Sequence, residues 1–332
     1  MFTPKYCQII EVVNRDVSTN KLLRIVDFSQ ILLERLQIPL YSKQHSGKTF
    51  NNHQLFKLII LKSYFGKDYR RFIEFLEVSE IPKIIGLKRI PHFTTLQKFS
   101  ARQKIQELEQ LILESCSLAK KKCKNVGIDA TGMSLDFASK HYARRIEKPI
   151  LRRDFLKLNM FMDLDNLMIL SAKIRKKARH DTKDVKALWN KIKHLLFRKV
   201  FADKGYDADF FHEIVYKSGR KSVIFIKNPD VPIWRTKGTF RKIAKKDAKN
   251  HQKGKRSLTE TVNSILKRVY GETIAAKKLC TQKIELFFRI LTLNLERLSI
   301  LIEKIFLLFF IFLRKRLFGA KSTKQILYFY HL

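Results

Sequence analysis

The chain has 332 residues, a length that predicts two domains. Hydrophobic residues make up 45% of it, which is enough apolar surface for a packed core and excludes wholesale disorder. Lysine and arginine number 68 against 30 acidic residues, so the formal net charge is +38. Because a compact body with this charge repels itself unless anions neutralise it, the composition predicts a nucleic-acid partner.

The four cysteines form no Cys-x-x-Cys pair and no histidine lies at zinc-finger spacing from them, so neither a disulfide scaffold nor a structural zinc site is predicted. The amino-terminal residues lack the apolar core of a signal peptide. The most apolar run, residues 305–313, would extend about 13.5 Å as a helix, less than half of a bilayer core. We therefore expect a cytoplasmic, nucleoid-associated protein without a membrane partner; a basic helix on a membrane surface is the alternative for this run.

Residues 1–120 are predicted to form a helical amino-terminal domain. Apolar residues recur at helical spacing within 52–64, and Tyr69, Phe72, Ile73 and Leu76 repeat at i, i+3, i+4 and i+7. Short helices in a basic context suit a DNA-end-binding module of helix-turn-helix type. An ordinary helical bundle has the same periodicity, so the pattern alone leaves both interpretations open.

A mixed α/β domain is predicted for residues 121–300. Apolar residues alternate from Val126 to Ala130, which indicates a first strand, and a further strand is predicted around 134–138. A strand hairpin, helices and short strands then follow in the order β-β-β-α-β-α-β-α, which is typical of a mixed sheet flanked by helices. The predicted elements are a hairpin at 158–174, helices at 185–196, 209–216, 257–270 and from 283 onward, and strands at 200–202 and 222–226.

Two further segments have a biased composition. Residues 227–256 form a basic segment. Its part from 235 to 256 has ten basic residues and one acid, and we predict that this part is exposed, mobile and phosphate-facing. Residues 301–332 are predicted to form an apolar and basic helical tail.

Three acids lie where this layout would bring them together: Asp129 on the first strand, Asp203 just past the fourth, and Glu260 in the first turn of a helix. If strands one and four are neighbours, Asp129 and Asp203 project from adjacent strand ends, and the helix can deliver Glu260 beside them. Carboxylate ligation selects Mg²⁺ or Mn²⁺, and two such ions would polarise a phosphodiester. Taken singly, each acid is more simply a turn former.

These motifs in their chain order resemble the DDE transposases of insertion sequences, in family five and the related family four. The motifs are Asp-Ala-Thr-Gly from Asp129, Ala-Asp-Lys-Gly-Tyr-Asp around Asp203, and Arg256, Glu260 and Lys267 at the spacing Arg-x₃-Glu-x₆-Lys. The resemblance implies an RNase H-like core in which Asp129, Asp203 and Glu260 are the catalytic metal ligands. It also implies that Arg256 and Lys267 contact the DNA backbone. Lys253 stands where that family has a tyrosine, and we expect it to contact phosphate.

Two other groups are candidate sites from the residues alone. Arg144 and Arg145 follow the predicted strand at 134–138 and are expected to contact DNA, with a solvated loop as the alternative. His180 and Asp181 precede the helix predicted at 185–196, and we expect Asp181 or Thr182 to cap it.

The sequence therefore predicts a transposase that cleaves DNA and transfers strands at the ends of an insertion sequence. Its predicted partners are double-stranded DNA, as terminal inverted repeats and target, and a second copy in a homodimeric synaptic complex; its predicted cofactor is two Mg²⁺ or Mn²⁺ ions. A catalytically decayed, transposase-derived DNA-binding protein is the alternative, and a metal nuclease that does not join strands is a third hypothesis.

Overall fold

A computed structural model describes residues 20–42, 49–119, 123–135, 155–176, 179–247 and 253–318, with the backbone alone for 253–254 and 305–318. Arg144 and Arg145 lie outside the described residues, so their predicted contact with DNA stays a prediction.

The described part of the first 120 residues is helical, as predicted. Its helices are α1 (Lys21–Arg35), α2 (Asn52–Tyr64), α3 (Tyr69–Glu77), α4 (Ile81–Ile85), α5 (Phe93–Ala101) and α6 (Ile105–Ala119). The start of α2 is fixed by a capping box in which the Asn51 side chain accepts from the Gln54 N–H at 2.7 Å and the Gln54 side chain accepts from the Asn51 N–H at 3.0 Å. Asp68 caps α3, because its side chain accepts hydrogen bonds from the N–H groups of Arg70 and Arg71.

The rest of the described chain is built on a mixed sheet. Its strands are β1 (Asn125–Leu135), β2 (Phe155–Asp163), β3 (Met168–Arg175), β4 (Lys199–Ala202), β5 (Lys221–Ile224) and β6 (Thr273–Ile274). The strand order is β3-β2-β1-β4-β5, with β6 pairing the far end of β1. The first three strands are antiparallel, and β4 and β5 run parallel to β1. This is the strand arrangement of an RNase H-like core.

The strand predicted around 134–138 is not a separate strand where the structure describes it. Ser134 and Leu135 continue β1, because β2 pairs with β1 as far as Ser134 and β6 pairs with it from Ser134 onward. Residues 136–138 lie outside the described residues. The β2–β3 hairpin agrees with the prediction, and the Asp163 carboxylate holds its turn by accepting from the Asp165 N–H at 2.9 Å.

Helices cover both faces of the sheet. They are α7 (Val185–Ile192), α8 (Asp209–Lys217), α9 (Thr239–Asp247), α10 (Ser257–Tyr270) and α11 (Leu279–Phe318). Residues 235–256 are predicted to be exposed and mobile, and this is wrong for residues 239–247, which form α9. Asp181 and Thr182 do not cap α7; both lie in a short 3₁₀ turn, Asp181–Asp184, and the cap residue of α7, Asp184, accepts no side-chain cap bond.

The long helix α11 joins the amino-terminal helices to the sheet. It passes without a break through the boundary predicted at residue 301. Buried apolar side chains of α1, α2, α6 and α11 form one cluster with side chains from the sheet. Arg24 on α1 is buried against α11, with its Nε 2.8 Å from Ser299 Oγ and its Nη2 3.0 Å from Glu303 Oε2.

The predicted fold class is therefore confirmed: a mixed sheet flanked by helices, preceded by a helical region. Within the described ranges, no helix combines the length and apolarity that a bilayer crossing requires.

Candidate active site

The candidate site lies at a notch in the sheet. On one side of β1, pairing with β4 ends at Ile128 and Ala202, and pairing with β6 begins only at Ser134. Asp203 is the first residue after β4, whereas Asp129 lies in the middle of β1, one residue beyond the last position that pairs with β4. The parallel register of β1 and β4 therefore places the two residues side by side, although the sequence predicted that both would lie at strand ends.

A close approach between α10 and β1 sets the position of the third acid. A methyl group added at Gly127 would lie 2.5 Å from Thr259 Cγ2 and 2.8 Å from Leu164 Cδ2, so only glycine fits between them. Thr259 is buried there, in the first turn of α10. Because Glu260 is the next residue, this contact places its side chain at the edge of the same notch.

Arg256 links two of the three acids. It lies in the turn just before α10, where its Nη1 donates to Asp203 Oδ1 at 2.7 Å and its Nη2 donates to Glu260 Oε1 at 2.5 Å. The same guanidinium lies over the Phe225 ring, 5.4 Å from its centroid. Asp129 makes no direct bond to Arg256 but interacts electrostatically with Arg256, Asp203 and Glu260. All three predicted acids thus surround one cation of the chain itself.

The pKa values of Asp129 and Asp203 are shifted in opposite directions. Burial raises the pKa of Asp129 above its ordinary value, and the negative charges of Asp203 and Glu260 act in the same direction. Burial alone would also raise the pKa of Asp203, but the hydrogen bond from Arg256 and the Lys204 N–H outweigh it, and the pKa of Asp203 is lowered. The guanidinium of Arg256 is therefore bonded to Asp203 and not to Asp129.

Asn263 is a site residue that the sequence did not indicate. Its Nδ2 donates to Asp129 Oδ2 at 2.9 Å, and Ala130 N–H donates to Asp129 Oδ1 at 2.8 Å, so both carboxylate oxygens are oriented. Asn263 lies three residues after Glu260, one turn along the same helix. That spacing is the only signal in the sequence, and an exposed asparagine would give the same one.

Two other predicted DNA-binding residues lie on α10 and in the turn before it. Lys267 on α10 pairs with Glu272 at 3.3 Å and its side chain is 29% exposed. Lys253 lies in the turn before α10, and the structure describes only its backbone.

The notch offers oxygen ligands to a divalent ion. Among the described residues, three buried side-chain oxygens have neither a hydrogen bond nor an ion pair: Asn159 Oδ1, Tyr206 Oη and Asn263 Oδ1. Asn263 bonds Asp129, and Tyr206 is within electrostatic reach of Asp129 and Asp203. A donor set made only of oxygens fits Mg²⁺ or Mn²⁺ rather than zinc.

The carboxylates are nevertheless not arranged around an ion. No group of three His, Cys, Asp or Glu side chains in the described ranges has the geometry of a metal site. Two of the three acids direct an oxygen to Arg256 instead. The donor chemistry fits the metal, but the guanidinium holds the oxygens that an ion would need.

The basic helix α9 is attached to the core beside this site by one buried carboxylate. Asp207, four residues after Asp203, accepts from Arg241 Nε at 2.8 Å and Nη2 at 2.5 Å, and from the Lys227 N–H at 2.7 Å. Burial alone would raise the pKa of Asp207, but the bonds from His212 and Arg241 outweigh it and lower that pKa to about 2. The basic helix is therefore a fixed part of the domain.

His212 lies next to Asp207 and contacts a serine as well. Its Nε2 is 3.0 Å from Asp207 Oδ1, and its Nδ1 is 2.8 Å from Ser222 Oγ. The order Ser-His-Asp matches that of a nucleophilic triad, but Ser222 and His212 are 1% and 0% exposed. No substrate reaches them, so this group is structural.

Comparison with known proteins identifies the family of the chain. A family model described as the transposase DDE domain matches residues 126–295, just over half of the chain. A search of curated proteins finds no match. Among solved structures, the cryo-EM structure of a piggyBac transposase synaptic complex with hairpin DNA is similar at a TM-score of 0.42 and 9% identity, covering 98% of this chain and 84% of that one. By the family model, the chain belongs to the DDE transposase family.

Proposed function

We propose that this transposase carries out metal-dependent DNA cleavage and strand transfer at the ends of an insertion sequence of family five. The observation that carries the proposal is the position of Asp129 on β1, Asp203 at the end of β4 and Glu260 on α10 around one notch. The net charge of +38 supports double-stranded DNA as the partner, both as terminal inverted repeats and as target.

Asp129, Asp203 and Glu260 would hold two Mg²⁺ or Mn²⁺ ions, with Asn263 orienting Asp129 through the bond to its Oδ2. When bound, the ions supply a polarised phosphodiester and an activated water or 3′-hydroxyl. The chain's own part is to fix the carboxylates on the sheet and on α10 and to keep a cation beside them. No covalent enzyme intermediate is required.

Arg256 has two roles in this proposal. Without DNA it neutralises Asp203 and Glu260. With DNA it turns to a backbone phosphate, which a planar guanidinium binds through two parallel N–H groups. Lys267 and Lys253, on the same helix and the turn before it, would contact the adjacent backbone, and Arg144 and Arg145 would extend the contact.

Two DNA ends must be held together for transposition, so we propose a homodimer in the synaptic complex, acting in the cytoplasm at the nucleoid. The six amino-terminal helices would bind the element ends. Their basic stretch from Pro82 to Gln106 contains six lysines and arginines and no acid.

The test is cleavage of a supercoiled plasmid that carries the cognate ends, in Mg²⁺ or Mn²⁺. We expect nicked and linear products with the wild-type chain, and at least a thousandfold less with Asp129→Asn, Asp203→Asn or Glu260→Gln. Strand-transfer products on a second plasmid separate a transposase from a nuclease that does not join strands. An Asp129→Asn chain that cleaves like the wild type would refute the catalytic assignment.

The pairing of Arg256 with two of the acids also favours a second candidate, a catalytically decayed DNA-binding protein. In this case the wild-type chain would bind DNA with a steep salt dependence, would not cleave it, and would bind equally well after substitution of the acids.

A further inference from the structure

Phe225 is an aromatic side chain that the fold leaves at the surface beside the candidate active site. It is the first residue after β5 and is 41% exposed, although Ile224 before it is buried in the core. Single exposed apolar residues are common on protein surfaces, so exposure alone gives Phe225 no role. Its position in the sheet and the cation that lies over its ring distinguish it from an ordinary surface residue.

The parallel pairing of β4 and β5 places Phe225 next to Asp203. The last paired residues of the two strands are Ala202 and Ile224, and the Phe225 N–H donates to the Ala202 carbonyl at 3.2 Å. Asp203 and Phe225 are the residues that follow this pair, one on each strand. The backbone of two core strands therefore holds the phenylalanine and the carboxylate side by side.

Arg256 reaches this place from the turn before α10, and three groups hold its guanidinium there. The guanidinium carbon lies 5.4 Å from the centroid of the Phe225 ring, which is within the range of a cation–π contact. The other two groups are the carboxylates of Asp203 and Glu260, which accept from Nη1 and Nη2. The backbone of Arg256 is anchored separately, since Thr259 Oγ1 donates to its carbonyl at 2.8 Å.

The ring contact and the carboxylate contacts respond differently to ligands of the site. A metal ion competes for the oxygens of Asp203 and Glu260, and a DNA phosphate competes with those oxygens for the N–H groups of Arg256. A guanidinium can stack on an aromatic ring while its N–H groups bind a phosphate, so neither ligand has to displace the Phe225 ring. The ring is therefore the contact that can persist when Arg256 leaves the carboxylates.

We propose that Phe225 is a positioning residue that keeps the guanidinium of Arg256 at the notch while its N–H groups pass from the carboxylates to a DNA phosphate. A side chain that is already held loses less rotamer freedom when it binds, so the ring contact should strengthen DNA binding. The inference rests on the proposed function, because it takes the phosphate contact of Arg256 from there. It goes further by naming a residue, outside the predicted site, on which that contact depends.

The experiment measures binding of the full-length chain to a fluorescein-labelled duplex that carries a cognate end, by anisotropy and without divalent metal, so that no cleavage follows. We expect Phe225→Leu to bind about two- to fivefold more weakly than the wild type, as the loss of an exposed cation–π contact predicts. Its salt dependence should keep the wild-type slope, because the charge of Arg256 remains, whereas Arg256→Gln should reduce the slope by about one. Added to Arg256→Gln, Phe225→Leu should have no further effect.

The matched control is Phe155→Leu. Phe155 is 42% exposed and lies at the start of β2 in the same sheet, beside Gly132. We expect this variant to bind the duplex like the wild type. Without DNA, ¹⁵N relaxation of the Arg256 Nε–H group, assigned by its loss in Arg256→Gln, should show a more mobile side chain in Phe225→Leu and an unchanged one in Phe155→Leu.

If Phe225→Leu weakens binding equally in the Arg256→Gln background, the ring contacts DNA itself and the positioning role is overturned. Unchanged mobility of Arg256 in Phe225→Leu would overturn it too, and both results would leave the proposed function standing. A wild-type chain that binds the duplex but cleaves no plasmid would overturn the proposed catalysis without altering the binding results expected for Phe225.

Discussion

Because Arg256 is paired with Asp203 and Glu260, removing its positive charge should improve the binding of a metal ion to the same carboxylates. Arg256 occupies one oxygen each of Asp203 and Glu260, at 2.7 and 2.5 Å. An arriving ion must first break both pairs. We therefore predict that Arg256→Gln binds Mn²⁺ more tightly than the wild-type chain when no DNA is present.

The size of the effect follows from the exposure of the two pairs. The Asp203 and Glu260 side chains are 45% and 61% exposed, so solvent screens each pair, and such pairs contribute about 0.2–1 kcal/mol. Two pairs on a guanidinium that is 30% exposed should together hold about 1–2 kcal/mol. Their loss corresponds to an increase in Mn²⁺ affinity of about 5- to 30-fold.

Calorimetric titration of the metal into both chains measures this difference. The control is Arg268→Gln, which removes the same charge from an exposed position on α10 and should leave the affinity within about twofold. Equal or weaker binding by Arg256→Gln would show that the guanidinium does not compete with the ion, and the reasoning would be refuted. Adding a DNA duplex should narrow the gap, because phosphate then withdraws Arg256 in the wild-type chain.

Three further variants test how the site is held. Gly127→Ala should lower the free energy of unfolding, measured in urea, by about 1–3 kcal/mol, because the added methyl group would overlap Thr259. The control is Gly132→Ala on the same strand, where the nearest contact would be at 3.6 Å and the cost should be less than about 1 kcal/mol. Asp207→Asn should cost about 2–3 kcal/mol, because it leaves Arg241 without its buried partner. Because the pKa of Asp207 is lowered, its contribution to folding stability is complete above the unfolded pKa of 3.8 and is lost as the pH falls toward about 2. In acid titrations over that interval, the wild-type chain should therefore lose more stability than Asp207→Asn. Asn294→Ala should cost about 2–3 kcal/mol and speed amide exchange on β3, because the Asn294 side chain pairs both backbone groups of one β3 residue at 2.8 Å.

The sequence predicted the catalytic core better than its surroundings. Alternation from Val126 and the turn chemistry around Asp163 are local signals, and they located β1 and the β2–β3 hairpin. The neighbouring positions of Asp129 and Asp203 followed from strand order, because β1 and β4 are parallel neighbours whose register pairs the residues just before them, Ile128 and Ala202.

What the sequence did not indicate depends on contacts between distant segments. The helix α9 forms in a stretch of lysines and arginines because Asp209 Oδ1 accepts from the Arg241 N–H at 2.9 Å and caps its first turn, and Gly238 provides the backbone conformation before it, with φ of +91°. Asn263 gains its role only through a bond to a residue 134 positions away. Charge composition cannot reveal either contact.

The shared core of α1, α2 and α11 has a consequence for synthesis of the chain. The ribosome synthesises α1 and α2 long before α11, which buries them. The partners of Arg24, for example, are Ser299 and Glu303, which follow it by 275 and 279 residues. Until α11 has emerged from the ribosome, the apolar side chains of α1 and α2 that pack against it remain exposed to water or to chaperones. A message broken before codon 284 would therefore yield no stable amino-terminal module, and shortened transcripts should not produce a competing DNA-end binder.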